Sequence, residues 1–199
     1  MPTIFGQRIK KSSFLMNIGA IILAGGKSSR MGQDKGLMLL NNKPMIVHLL
    51  NTVKTITNDI IIVSNNAEYA QFGFDVKEDL IKNAGPLAGI FTGLTFSKHN
   101  KNIVLSCDVP FVSQKLLHFL IENSVNADVT IPINAEKTHQ VIGVYDKSCI
   151  NTFKDELQHN QRKIKSALNK VTLNVVDANA FSSKEFLNIN TPIELNEAQ

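Results

Sequence analysis

Apolar residues along the chain fall into short runs separated by stretches with helical spacing. Ile18 to Ala24 is an apolar run that stops at Gly25-Gly26, the pattern of a buried strand feeding a turn. Pro44 opens a segment with Met45, Ile46, Leu49, Leu50 and Val53 on one face, which predicts an amphipathic helix with proline in its first turn. Ile60 to Ser64 is rich in β-branched residues and reads as a second buried strand. Pro86 to Phe96 is again helical, with Leu87, Ile90, Phe91 and Leu94 on one side. Asn102 to Cys107 predicts a strand, and Leu116 to Ile121 belongs to the helix after it. Strands are expected at Val129 to Ile133, Val141 to Tyr145 and Val171 to Val176, with one or two helices within Phe153 to Leu168.

Strands alternating with helices imply a mostly parallel sheet with helices on both faces. No Gly/Ser/Pro-rich linker, internal repeat or low-complexity tract divides the chain. A single α/β domain, a Rossmann-like three-layer sandwich, is therefore expected over residues 18–199. Residues 1–17 carry Arg8, Lys10 and Lys11 without the apolar run of a secretory signal. They are read as a disordered extension, with Met16 as an alternative start of translation.

Composition narrows the function classes. At 199 residues, 43% hydrophobic and 19% charged, the chain is globular and large enough for a sizeable core. Lys and Arg outnumber Asp and Glu by 21 to 17, but the basic residues are dispersed, which argues against nucleic acid and suits small anionic substrates. No apolar run approaches the roughly 18 residues of a membrane span. Cys107 and Cys149 have no metal or redox spacing, so two free thiols in a reducing, cytoplasmic setting are expected.

In an open α/β sheet, ligands lie beyond the carboxyl ends of the strands, which makes the residues after each strand the ones to read. After the first comes Leu23-Ala24-Gly25-Gly26-Lys27-Ser28-Ser29-Arg30-Met31-Gly32-Gln33-Asp34-Lys35. Glycines there allow backbone N–H groups close approach to phosphate oxygens, and Lys27, Arg30 and Lys35 supply balancing charge. Gly26-Lys27-Ser28 imitates the end of a P-loop, but position 21 is Ile21 where that motif needs glycine, and the dinucleotide G-x-G-x-x-G spacing is absent. Two glycines after a strand make an ordinary turn; the cations and Gly32 alongside them point to a phosphate cradle. After the Asn102 to Cys107 strand comes Asp108, followed by Val109-Pro110-Phe111. A carboxylate there suits Mg²⁺ held against triphosphate oxygens, or simply caps the next helix; its pairing with the first loop favours the metal.

These segments resemble the molybdenum cofactor guanylyltransferases, within the wider nucleotidyltransferase superfamily. The resemblance rests on Leu23 to Gly36, Gly85-Pro86-Leu87-Ala88-Gly89-Ile90, Cys107 to Phe111, and Asn188-Ile189-Asn190-Thr191-Pro192. It implies transfer of GMP from GTP to molybdopterin carrying molybdenum, with pyrophosphate released and Mg²⁺ as cofactor. It further implies that Leu23, Ala24, Gly25, Gly26 and Gly85 line the nucleotide, that Lys35 and Arg30 meet the phosphates in catalysis, and that Asp108 holds the metal. Asp79 and one of Asn65 or Asn66, with Asn66 preferred, are expected at the guanine edge. The product would be handed to molybdoenzymes or their chaperones, and a monomer is expected. His139 and Gln140 lie where the family approaches the pterin, although a surface histidine is the plainer reading; Arg162 and Lys163 read as a solvated helix face. Sister readings are a cytidylyltransferase or sugar-phosphate nucleotidyltransferase, and a catalytically silent nucleotide-binding assembly protein.

Overall fold

The computed structural model describes residues 17–25 and 34–198. The expected extension up to residue 16, and Gly26, Lys27, Arg30 and Gly32 of the first loop, lie outside the described residues. In chain order the elements are β1 (Ile18–Leu23), β2 (Leu39–Leu40), β3 (Lys43–Pro44), α1 (Met45–Lys54), β4 (Ile60–Val63), β5 (Asp75–Lys77), α2 (Pro86–Phe96) and β6 (Lys101–Ser106). There follow α3 (Gln114–Glu122), β7 (Val129–Asn134), β8 (Lys137–Thr138), β9 (Ile142–Asp146), α4 (Ile150–Gln158), α5 (Ile164–Leu168), β10 (Leu173–Asp177) and α6 (Pro192–Glu197).

The main sheet runs β10-β7-β9-β6-β1-β4-β5, with β8 paired to β7. β1 lies inside the sheet, parallel to β4 and β6, and every one of its residues is buried. Its side chains alternate between two cores, as the pleat of a strand requires. Ile18, Ala20 and Ile22 join Ile46, Leu49, Leu50 and Val53 of α1 and Leu116, Leu117 and Leu120 of α3. Ile21 and Leu23 join Leu87, Ile90 and Leu94 of α2, Phe153 of α4 and Ile164 of α5. Each such side chain, fully buried, contributes about 1.5–3 kcal/mol. Helices thus cover both faces, as expected, and the sheet is mixed but mostly parallel.

β9 is antiparallel to both β6 and β7, and the short β8 is antiparallel to β7. Only residues 135–141 separate β9 from β7, too few for the crossover that parallel neighbours need. Pro44 also differs from expectation: it ends β3 in extended backbone and stands before α1 rather than in its first turn. The β2–β3 hairpin turns on Asn41 and Asn42, both at positive φ (48° and 61°), a conformation asparagine tolerates well. α2 presses against β1 through glycines; a Cβ at Gly93 would lie 2.3 Å from Cγ2 of Ile21. Among the described residues no helix is long and apolar enough to cross a membrane.

Candidate active site

Leu23, Ala24, Gly25, Asn65, Asn66, Asp79 and Asp108 close or closely follow the carboxyl ends of β1, β4, β5 and β6. β1 ends between its neighbours: Cys107 N donates to Leu23 O (3.0 Å) and Ala24 N to Val63 O (2.9 Å). Leu23 and Ala24 are buried, and Gly25 emerges exposed where the turn begins. The chain is described again from Asp34, whose carboxylate accepts from Gly36 N (3.2 Å) and caps a 3-10 turn over Lys35–Leu37.

That turn delivers the Lys35 ammonium to a distant partner, Asn190, whose Oδ1 accepts from Nζ at 2.7 Å. Packing explains the meeting. Leu40 and Met45 share a small core with Ile189, Leu195 and Ala198, which brings the C-terminal loop beside the segment carrying Lys35. A capping box then fixes the loop: Glu194 Oε2 accepts from Asn190 N (2.6 Å) and Thr191 N (3.0 Å), while Thr191 Oγ1 accepts from Glu194 N (3.2 Å). These backbone donors hold the Glu194 carboxyl below its ordinary range.

The same loop holds the turn after β6. Ile189 N donates to Asp108 O at 2.8 Å, so the backbone of Asp108 and the ammonium of Lys35 are tied to adjacent residues, Ile189 and Asn190. The side chain of Asp108 is free of that bond. Its Oδ1 is buried and has no hydrogen-bond partner among the described residues. A buried, unpartnered carboxylate oxygen is costly and calls for a cation or donor. The preceding Cys107 thiol is pushed up by burial and by the charges of Asp108 and Asp34, which keeps it protonated and unsuited to nucleophilic work.

Asn65 and Asn66 part company. Asn65 pairs with Asp79, donating Nδ2 to Oδ2 (3.2 Å) and accepting Asp79 N on its Oδ1 (3.2 Å). Asn66 instead caps Glu68 N (3.0 Å) and donates to Asp34 Oδ2 (3.2 Å). Asp79 Oδ1 is a second buried carboxylate oxygen without a partner among the described residues, and burial raises that carboxyl against the opposing pull of Asn65. Beside it, a Cβ on Gly89 would lie 3.0 Å from Leu23 Cδ2 and 3.7 Å from Asp79 Oδ1. Gly85, at φ 75°, starts α2 in a left-handed conformation that suits glycine.

A cavity of about 280 Å³ adjoins the C-terminal loop, lined among others by Pro86, His139, Gln140, Ile164 and Asn188. His139 is buried rather than on the surface, with its ring 4.7 Å from that of Phe186; burial, then the charge of Lys137, lowers its pKa. Arg162 donates to Asn83 O (3.0 Å), bracing the approach to Gly85. Sequence reasoning passed over Asp34, Tyr69 and the contact between Lys35 and Asn190. The one signal it offered was the acid directly before Lys35.

The sheet order, with Gly25 and Asp108 following its central strands and Lys35 and Asp108 bonded to adjacent residues of one loop, is that of an α/β fold with its candidate site at the strand ends. Residues 20–175 match the MobA-like NTP transferase domain, and the chain belongs to that family of nucleotidyltransferases. A relative from Flavobacterium johnsoniae, described as "Probable molybdenum cofactor guanylyltransferase", is 36% identical over 177 residues, 88% of this chain and 93% of its own length. A molybdenum cofactor guanylyltransferase from Desulfosudis oleivorans is 30% identical, covering 92% and 94% respectively. The fold is shared with molybdopterin-guanine dinucleotide biosynthesis protein A from Archaeoglobus fulgidus, at a TM-score of 0.78, 23% identity, and coverage of 90% and 96%.

Proposed function

We propose that the protein joins GMP from GTP to molybdopterin carrying molybdenum, forming molybdopterin guanine dinucleotide and releasing pyrophosphate. The observation that carries this reading is the attachment of Lys35 and Asp108 to neighbouring residues of one loop, at the edge where β1 releases Gly25. Leu23, Ala24 and Gly25, with Gly26 beyond them, run along the nucleotide, and Lys35 and Arg30 meet its phosphates. A terminal phosphate oxygen of the acceptor attacks the α-phosphorus in line while the bond to the β-phosphate breaks. No protein nucleophile or base is needed, so catalysis is positioning and charge stabilisation.

The donors present fit Mg²⁺. Among the described residues no group of three or more His, Cys, Asp or Glu side chains forms a metal cage. Mg²⁺ asks for less, commonly one or two carboxylates with phosphate oxygens and water completing its shell. The unpartnered Oδ1 of Asp108 suits that role. Bound there, the ion would neutralise charge on the α-phosphate and the leaving pyrophosphate.

Guanine presents N–H donors, which the unpartnered oxygen of Asp79 would accept. Asn65, already paired with Asp79, is better placed beside it than Asn66, whose amide is committed to Asp34 and Glu68. The cavity by His139 and Asn188 would seat the acceptor, with the imidazole neutral at pH 7. Two buried free cysteines suit a cytoplasmic setting.

Incubation with GTP, CTP or ATP, each with molybdopterin and Mg²⁺, tests the reading by product mass. GTP alone is expected to yield the dinucleotide. Equal yield from CTP would favour a cytidylyltransferase, and no pyrophosphate from any of the three would favour a binding protein. GTP at about 100 times its Kd should also stabilise the fold by roughly 2.7 kcal/mol.

Asp79→Asn is expected to lower the preference for GTP over CTP by at least ~10-fold, about 1.4 kcal/mol. It should also alter stability in the absence of nucleotide. A carboxyl raised by burial binds its proton more tightly when folded, so wild type gains stability as pH falls from 7 through that raised pKa towards the unfolded value. The Asn variant should lack this gain, and melting curves between pH 7 and 4 would measure it.

A further inference from the structure

Asp34 stands immediately before Lys35, and its carboxylate is held from three directions. Gly36 N and the Tyr69 hydroxyl both donate to Oδ1, and Asn66 Nδ2 donates to Oδ2 at 3.2 Å. Two of these donors come from one short segment after β4, the 3-10 helix Ala67–Phe72 and the Asn66 that caps it. Tyr69 is fully buried and packs in the same core as Ile22, Ile62 and Val109. Only its hydroxyl reaches the loop.

Gly36 is shaped around that hydroxyl. A Cβ there would stand 2.3 Å from the Tyr69 oxygen, 3.2 Å from its Cζ and 3.3 Å from Cys107 Cβ. Any side chain at position 36 would thus force either the tyrosine or the turn carrying Lys35 to shift. Burial, reinforced by the bond to Asp34 and by its charge, pushes the phenol far up, so it stays a donor at every physiological pH. A donor fixed in the core, meeting an acid whose next residue carries the phosphate-facing amine, is built for aim more than for packing. Phenylalanine would fill the same core without the oxygen.

We infer that Tyr69 is a positioning residue: through Asp34 it fixes the turn over Lys35–Leu37 and so aims the Lys35 ammonium at the phosphate site. The inference rests on the reading of Lys35 as a phosphate contact. It specifies that Tyr69 acts only by way of Lys35, which a general contribution to the fold would not do.

A double-mutant cycle separates the two. Wild type, Tyr69→Phe, Lys35→Ala and the double variant are compared in kcat for pyrophosphate release from GTP plus molybdopterin. GTP Kd is measured calorimetrically on the same four proteins with Mg²⁺, alongside their melting temperatures. Tyr69→Phe is expected to lower kcat about 10-fold and weaken GTP about 3-fold when Lys35 is present. In the Lys35→Ala background both effects should shrink below about 1.5-fold. The same factor in both backgrounds, or no effect in either, overturns the proposal.

If Tyr69→Phe does not fold, Asp34→Ala carries the same cycle with the same expectation, since its side chain lies at the edge of the core. Should wild type bind GTP yet release no pyrophosphate, the proposed reaction fails while the Kd cycle still decides the role of Tyr69. Should GTP, CTP and ATP all fail to bind, both ideas fall together.

Discussion

Asp108→Ala is expected to reduce Mg²⁺-dependent turnover at least ~10³-fold while the protein still folds. The bond that secures this turn to the C-terminal loop uses the backbone oxygen of Asp108, which alanine keeps. The carboxylate itself contributes a buried oxygen without a partner, a feature that costs stability in the absence of a cation. Its removal should leave the melting temperature unchanged or raise it when nucleotide and metal are absent. With both present the order reverses, because wild type alone gains their binding energy. A metal that stabilises developing phosphate charge contributes several kcal/mol, and about 4 kcal/mol corresponds to the ~10³ quoted. Asp108→Asn, which keeps one oxygen but no charge, should fall between. Pyrophosphate release and melting curves on the three proteins check the pattern. Activity equal to wild type in the alanine variant removes Asp108 from the mechanism.

The sequence was most informative where one element carries its own signals. Pro86 to Phe96 was legible as a helix to both ends, because glycine and proline open it and an apolar face runs its length. β1 and β4 were legible to within a residue at their carboxyl ends, since buried parallel strands are continuous apolar runs. β2, β3, β5 and β8 were not, being two or three residues long and formed by pairing with neighbours rather than by their own pattern. Nor did Val141 to Tyr145 announce its direction. A short buried run fits either orientation, and the short connection from β7 decides it.

The candidate site divides the same way. Lys35 and Asp108 stand out because each follows a strand end and has chemistry suited to a triphosphate. Their attachment to one loop depends on Ile189 and Asn190, and Asn190 is 155 residues from Lys35 along the chain, a relation set by packing of the C-terminal helix. Asn65 and Asn66 are chemically identical neighbours, so no pattern separates them; only the placement of Asp79 and Asp34 gives them different partners. Tyr69 carried no signal in the sequence, and most of its side chain is ordinary core. Its hydroxyl acquires meaning only once Asp34 is beside it.

Lys35→Ala is expected to cut kcat about 10²–10³-fold while weakening GTP by less than ~10-fold. Without nucleotide the ammonium already has an acceptor, the neutral amide oxygen of Asn190 at 2.7 Å. Binding GTP therefore exchanges one hydrogen bond for another, and the net gain in the ground state is small. If Lys35 meets the phosphates as proposed, negative charge builds near the ammonium as the α-phosphate is attacked and pyrophosphate departs, and a charge-assisted bond strengthens with that charge. An interaction that grows along the reaction coordinate appears in kcat rather than in binding. Lys35→Arg should recover part of the rate, since it keeps the charge but spreads it over a planar fork that fits a point contact poorly. Single-turnover rates and calorimetric Kd values for the three proteins give the split. Equal losses in rate and affinity would make Lys35 an anchor for substrate, with no preference for the transition state.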